Sequence, residues 1–355
     1  MISVLGVPGD PSVGAGACVI EVATGNILVL ASVPRVRGTH YAEQYAAADR
    51  IRMDRDAARH LFAAGLLDRA DLGRELARLT ALNDAKPFVE RAADSGRQSY
   101  CPPGSVMKCA LALGAFEANV LGADELLTCK GDEHEHGTIN VHQALVVSCN
   151  SFFRQIGARL GAERIIDIFR AFGICQPVPW LISEASARHR YQAAREDGVV
   201  KNLSIGQGTI STSPLEVAAM MSVIARKGVV IEPRVVAAID DRDCPPASSR
   251  RLSIGLSHFE ALHAAMKAAT ERLERQEPEL ARRARFGLAG KTGTAEGEKT
   301  GRHGGENWAW FAGFAPLAAP KYAVAVFCEH THVRGRSVAP YAAALLELVN
   351  ERSKP

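Results

Sequence analysis

The 355-residue sequence has no run of about 18 apolar residues, which excludes a membrane-spanning helix read from hydropathy. Its opening, MISVLGVPGDPSVGAGACVIEV, lacks the basic stretch and continuous apolar run of a secretory leader. Charge is almost balanced. The 42 Lys and Arg exceed the 39 Asp and Glu by only 3, too small a surplus to argue for a nucleic-acid partner. The eight cysteines (18, 101, 109, 129, 149, 175, 244 and 328) form no C-x-x-C pair and no dense framework, so they are not a disulfide scaffold and leave the redox compartment open. Internal repeats and low-complexity tracts are also missing. What is present, 47% apolar and 23% charged residues, is ordinary globular composition with ample length for a sizeable core.

Strand signals sit at both ends. GACVIEVATGNILVLASVP reads as a hairpin, with β-rich runs over 17–23 and 27–33 around a Thr-Gly-Asn turn. After Pro34 the character changes, and 41–84 reads as a helical insertion with Leu72, Leu76 and Leu79 at helical spacing. Helical patterning then runs to about residue 228. TSPLEVAAMMSVIARKG supplies its own boundaries: Thr212 or Ser213 as N-cap, Pro214 in the first turn and Gly228 past the end. Strand character returns in PRVVAAI, FGLAGKTGTAE, NWAWFAGFAP and YAVAVFCEH, with an amphipathic helix near 257–275 and a closing apolar helix over 341–349. The expected fold class is α/β (α+β): an antiparallel sheet assembled from both chain termini and flanked by helices, with an inserted all-helical lobe. The expected domain spans 14–355, with 14–36 and about 230–355 in the sheet lobe and about 37–229 in the helical lobe.

Three short motifs occur in order: Ser105-Val-Met-Lys108, Ser148-Cys-Asn150 and Lys291-Thr-Gly-Thr294. Each is weak alone; the ordered set, with every member at an element boundary, is strong. Ser105 follows Pro-Pro-Gly at a helix start, where free backbone N–H groups favour developing negative charge. A serine hydroxyl needs a base to become a nucleophile. Lys108, one turn on and on the same face, is in reach to serve. Acting so at neutral pH requires its pKa to fall from about 10.4 towards 7, about 4 kcal/mol of desolvation and like-charge repulsion, with Lys291 as the second cation. Ser148 is placed to relay a proton, and Asn150 to offer an amide to a peptide substrate. Lys291 and Thr292 read as holders of a substrate carboxylate on a strand edge, and Gly293 as the position where the substrate backbone approaches closely. The N–H of Thr294, with that of Ser105, is a candidate oxyanion donor pair.

With those residues in place, the chain resembles the transpeptidase domain of class B penicillin-binding proteins, from about Gly14 to the C-terminus. The likeness extends to KPFVERAADSGRQSYCPPGSVMK, HGTINVHQALVVSCNSFF, LSIGQGTISTSPLEVAAMMSVIARKG and WAWFAGFAP. It implies serine D,D-transpeptidation of peptidoglycan stem peptides through an acyl-enzyme on Ser105, with β-lactams acylating the same serine. It also implies a membrane glycosyltransferase partner and an extracytoplasmic, periplasmic location, although no anchor or pedestal has a counterpart in this sequence. Departures are Val-Met inside the nucleophile motif where Thr-Phe is common, Glu90 where Asn often precedes Arg-Ala, and the 41–84 insertion. A D,D-carboxypeptidase differs only in using water as acceptor. A class A β-lactamase needs a deacylating Glu in an E-x-x-L-N-like loop, and none lies between Asn150 and Lys291. Class D enzymes carry an apolar residue where Asn150 stands. A non-catalytic β-lactam sensor or wall-synthesis scaffold is the reading from another class.

No cofactor is required by this chemistry. CKGDEHEHG and the second motif nevertheless gather Cys129, His136 and Cys149, with Asp132 or His134 as fourth, a donor set suited to tetrahedral structural zinc. Some elongation-type relatives carry zinc near this motif, and His136-Gly137 and Cys149 stand at the matching places. The bland alternative is a solvated acidic and histidine-rich loop beside a buried cysteine.

Overall fold

Alternation along the late strands decides how the layers form. In NWAWFAGFA, residues 310, 312 and 314 belong to one apolar cluster and 309, 311 and 315 to another, as the period of two in a strand requires. The same division holds in YAVAVF, where Ala323, Ala325 and Phe327 face one core and Tyr322, Val324 and Val326 the other. These strands are therefore covered on both faces. The computed structural model describes residues 14–33, 58, 68–75, 101–130, 135–174, 197–208, 210–239, 242–244, 248–296, 307–331 and 333–352. Most of the 41–84 insertion, Glu90, Asp132, His134 and Cys175 lie outside them.

The described elements run in this order. β1 (Ala15–Glu21) and β2 (Ile27–Val33) are followed by a 3₁₀ turn, Gly104–Met107, that leads into α1 (Lys108–Glu117). β3 (Leu127–Cys129) and β4 (Gly137–Ile139) form a small hairpin before α2 (Val141–Val147), α3 (Asn150–Ala171), α4 (Asp197–Leu203) and α5 (Pro214–Ala225). Short strands β5 (Val229–Ile231), β6 (Ala238–Ile239), β7 (Arg242–Asp243) and β8 (Ser249–Arg251) precede α6 (Leu256–Glu274) and α7 (Pro278–Arg283). β9 (Ala289–Glu296), β10 (Asn307–Ala315), β11 (Tyr322–Thr331) and α8 (Ala339–Arg352) complete the fold.

The main sheet has five antiparallel strands in the order β2-β1-β11-β10-β9, so its centre joins the two ends of the chain. Its inner face packs on α5, α6 and the 3₁₀ turn, with α1 and α3 further into the same apolar cluster, and its outer face packs on α8, against which α7 lies. Strand β9, carrying Lys291 to Thr294, is an edge: it pairs with β10 on one side, with Lys291 opposite Ala312 and Gly293 opposite Trp310. Its other side pairs with no strand among the described residues, and Gly290 N donates to Thr270 Oγ1 at 2.9 Å.

Local signals explain the boundaries. Ser213 is the N-cap of α5, its side chain bonded to Glu216 N while Glu216 answers with the Ser213 N–H at 2.9 Å, and Pro214 follows. Two expectations shift. Of PRVVAAI only Ala238–Ile239 is strand; Arg234 makes an isolated bridge to Asn26, and Val235 and Val236 lie on the surface. The closing helix extends past 341–349 to Ala339–Arg352. No helix among the described residues is long and apolar enough to cross a membrane.

Candidate active site

The first motif does not open an α-helix directly. Ser105 lies in the 3₁₀ turn Gly104–Met107, and Lys108 is the first residue of α1. Its approach, Cys101–Gly104, is fixed by hydrogen bonds to groups from elsewhere in the chain. Thr212 N donates to Cys101 O at 3.0 Å, Trp310 Nε1 to Pro102 O at 3.0 Å, and Gly104 N to Gly206 O at 2.8 Å. Gly104 has φ +59° and Gly206 φ +72°, conformations that disfavour a side chain. The IGQG segment thus acts as a clamp on the nucleophile turn.

Gly293 has a related role. A Cβ there would lie 2.6 Å from Pro103 O and 3.2 Å from Val106 Cγ1, so this glycine admits the nucleophile turn itself against β9. The sequence assigns this close approach to a substrate backbone, whereas the backbone found against Gly293 is the protein's own, at Pro103.

The second motif is the junction of two helices. Ser148 caps the C-terminus of α2 in the left-handed conformation (φ 58°, ψ 39°), Cys149 caps the N-terminus of α3, and Asn150 is its first residue. A non-glycine residue held there stores strain, which clusters at functional sites.

Lys108 is fully buried and Lys291 is 3% exposed. Lys108 Nζ donates to Asn150 Oδ1 at 2.6 Å and to Ser148 O at 2.8 Å, lies 3.4 Å from Ser148 Oγ, and sits 5.4 Å from the Phe153 ring centroid. Lys291 Nζ donates to Ser148 Oγ at 2.8 Å and to Thr292 O at 3.0 Å. Ser148 Oγ therefore stands between two amines supplied by α1 and β9. Burial, helped by the nearby Arg272 guanidinium, lowers the Lys291 pKa to about 8; the Cys109 thiol opposes the shift. Cys109, behind both lysines, is itself pushed up to about 12 by burial.

These groups border one cleft of about 380 Å³, lined by Ser105, Ser148, Asn150, Lys291, Thr292 and Thr294 among others. All three motifs thus meet in one place. The sequence reading gave Asn150 to the substrate alone, but its carbonyl oxygen is taken by Lys108, which leaves its amide N–H₂ group for a ligand. It also missed Arg272, Glu296, Asn307, Arg334 and Arg336, which line the same cleft. The only available signal was the basic VRGRS turn after the last strand.

Beside this centre, Cys129 Sγ, His136 Nδ1 and Cys149 Sγ all lie within 4.8 Å of one another, with the two sulfurs 3.0 Å apart. Asp132 and His134, the fourth donors weighed, are outside the described residues. Burial and the adjacent Cys129 thiol raise the Cys149 pKa to about 11.

Known proteins are similar to this chain in sequence and fold. Peptidoglycan D,D-transpeptidase PbpA of Mycobacterium tuberculosis is 30% identical over 293 residues, covering 75% of this chain and 57% of that protein. Peptidoglycan D,D-transpeptidase MrdA of Haemophilus influenzae is 25% identical over 311 residues, covering 76% and 47%. The chain thus spans about half the length of these relatives. The crystal structure of PBPA from M. tuberculosis superposes with a TM-score of 0.64 at 26% identity, covering 94% of this chain and 76% of that one. Pseudomonas aeruginosa PBP2, in complex with WCK 5153, shares the fold with a TM-score of 0.67 at 20% identity, covering 96% and 77%. The profile of the penicillin binding protein transpeptidase domain matches residues 15–347, and this chain belongs to that family.

Proposed function

We propose that the chain is the catalytic domain of a serine D,D-transpeptidase that crosslinks peptidoglycan stem peptides and is acylated by penicillin and other β-lactams. The observation that carries this reading is the hydrogen-bonded set Lys108–Asn150–Ser148–Lys291, drawn from distant chain segments and opening on the cleft that holds Ser105. A neutral amine has two N–H groups and one lone pair. With Lys108 donating to Asn150 Oδ1 and Ser148 O, its lone pair is left to take a proton.

In this scheme Ser105 gives its proton to Lys108, and Oγ attacks the carbonyl of the penultimate D-Ala of a donor stem. The N–H groups of Ser105 and Thr294 hold the oxyanion, while Lys291 and Thr292 hold the terminal carboxylate. Collapse breaks the peptide bond. The departing D-Ala amine receives the proton from Lys108 through Ser148, leaving an ester on Ser105. An amine of a neighbouring stem then attacks that ester, its proton returns through Ser148 and Lys108 to Ser105 Oγ, and the crosslinked product leaves. A β-lactam enters the same first step with its ring amide as the bond broken.

The cysteine and histidine cluster fits a structural zinc ion: two sulfurs and one imidazole nitrogen converge beside the motif that carries Ser148. Cys129, His136 and Cys149 would hold it and tie the β3–β4 hairpin to the α2–α3 junction; the ion takes no part in bond making. Metal analysis of wild type and Cys129→Ala tests this, and a metal-free wild type overturns it. The partner is a membrane glycosyltransferase supplying strands, and the location the periplasmic face of the membrane, both on family grounds.

The activity is tested by incubating the chain with paired donor and acceptor stem peptides and weighing the products. Crosslinked dimer with release of D-Ala is the expected result. Release of D-Ala without dimer makes the enzyme a carboxypeptidase, and no release at all leaves a sensor or scaffold.

A further inference from the structure

The cleft mouth holds more positive charge than the chemistry above uses. Among the described residues its lining includes Lys291, Arg272, Arg334 and Arg336 against one carboxylate, Glu296, although the whole chain has a surplus of only +3. Arg272 comes from the last turn of α6, and Arg334 and Arg336 from the turn between β11 and α8; all three are exposed.

That turn is built tightly onto the active strand. Gly335 N donates to Thr294 Oγ1 at 3.0 Å, and a Cβ on Gly335 would lie 2.2 Å from Gly293 O and 2.5 Å from Trp310 O. The two arginines flanking Gly335 therefore start from a backbone wedged against the third motif.

Stability does not account for the cluster. Arg336 meets Glu277 at 3.5 Å in a partly exposed pair, a kind that contributes little. Arg334 and Arg272 are in no ion pair among the described residues. Gathering like charges around a concave site is unfavourable until an anion enters, and a guanidinium is the side chain that matches a carboxylate in two parallel hydrogen bonds.

We propose that Arg334 and Arg336, with Arg272, form a carboxylate subsite beside Lys291 and Thr292, so that the enzyme selects peptides bringing a second carboxylate to the cleft. This rests on the transpeptidase reading and names its substrate class. The carboxylate has two chemical sources. One is an acidic side chain on the donor peptide. The other is the α-carboxylate next to the attacking amine of the acceptor. The leaving group is itself an α-amino carboxylate held at Lys291 and Thr292, so an attacker of the same kind brings its carboxylate to the same cleft, and the part of its preference that the arginine variants remove is the part that belongs to the subsite.

The test uses wild type, Arg272→Gln and the Arg334→Gln/Arg336→Gln double variant. In the donor arm, kcat/KM for D-Ala release is compared between peptides carrying a side-chain carboxylate and the matching carboxamide. In the acceptor arm, the ratio of aminolysis to hydrolysis is compared for D-alanine and D-alaninamide. Wild type is expected to favour the carboxylate by about 10-fold or more in at least one arm, the size of a charge-assisted hydrogen bond, and the arm that responds identifies the source. The double variant is expected to reduce that preference to about 3-fold or less. Equal use of carboxylate and carboxamide by wild type in both arms overturns the subsite, whether or not the variants fold. So does a preference that survives in the folded variants. Benzylpenicillin labelling of Ser105 in wild type reports separately on the underlying reading. Labelling without carboxylate preference removes the subsite alone, while absence of labelling removes both.

Discussion

Lys291 combines near-complete burial with a titratable amine, and its two properties pull in opposite directions. Burial lowers its pKa from 10.5 to about 8, so below pH 8 the folded protein carries a charge that the unfolded chain holds more cheaply in water. Between about 8 and 10.5 the unfolded state binds more protons than the folded one, so stability contributed by this residue rises with pH across that window. Lys291→Met is therefore expected to raise unfolding free energy by on the order of 1–3 kcal/mol at pH 7, with the gain shrinking towards pH 10. Denaturant melts of both proteins at several pH values check it. Function runs the other way. The positive charge proposed to hold a carboxylate is lost above about pH 8, so acylation by benzylpenicillin is expected to weaken there, and Lys291→Arg to move that loss to higher pH. Stopped-flow acylation across about pH 6–10, a range that brackets the lowered Lys291 titration, reads both. Ser105, Lys108, Ser148, Asn150 and Lys291 were all legible in the sequence as spaced motifs. The bond from Lys108 to Asn150 Oδ1 was not, because a pairing of side chains across 42 positions is decided by packing that no local spacing encodes.

At the scale of elements, the hairpin, the Ser213-capped helix and the late strands could be read from turn chemistry, caps and alternation, since those signals are local. The clamp on the nucleophile turn could not. IGQG looks like loop glycines until Gly206 is found against Gly104, where a Cβ at 206 would lie 2.1 Å from Gly104 O. Gly206→Ala is expected to destabilise the fold by several kcal/mol and to slow penicillin acylation sharply, since backbone cannot give way there. Gly173→Ala is the matched control: its φ is also positive, at +90°, but among the described residues no atom stands within 4 Å of the added Cβ. It is expected to cost about 1 kcal/mol with acylation unchanged. Melting temperatures and acylation rates of the two variants separate strain from collision. Equal effects on acylation would show that the clamp does not position Ser105.

Across the whole molecule, one arrangement links fold and site. The two chain ends meet in the sheet, β9 is left at its edge, and the helical lobe presents α1 and the α2–α3 junction to that edge. Fold class was legible because strand signals cluster at the termini and helical ones between them. Arg272, Arg334 and Arg336 escaped notice because their convergence depends on how α6 and the β11–α8 turn meet β9, a three-dimensional fact. The central claim is that this edge and lobe assemble a nucleophile at Ser105. It is tested most directly by incubating wild type and Ser105→Ala with fluorescent penicillin, mapping the labelled peptide, and chasing with unlabelled drug. The account expects label on the peptide containing Ser105, none in the variant, and slow loss during the chase. Label that persists in Ser105→Ala, or a wild type that takes none, would contradict it.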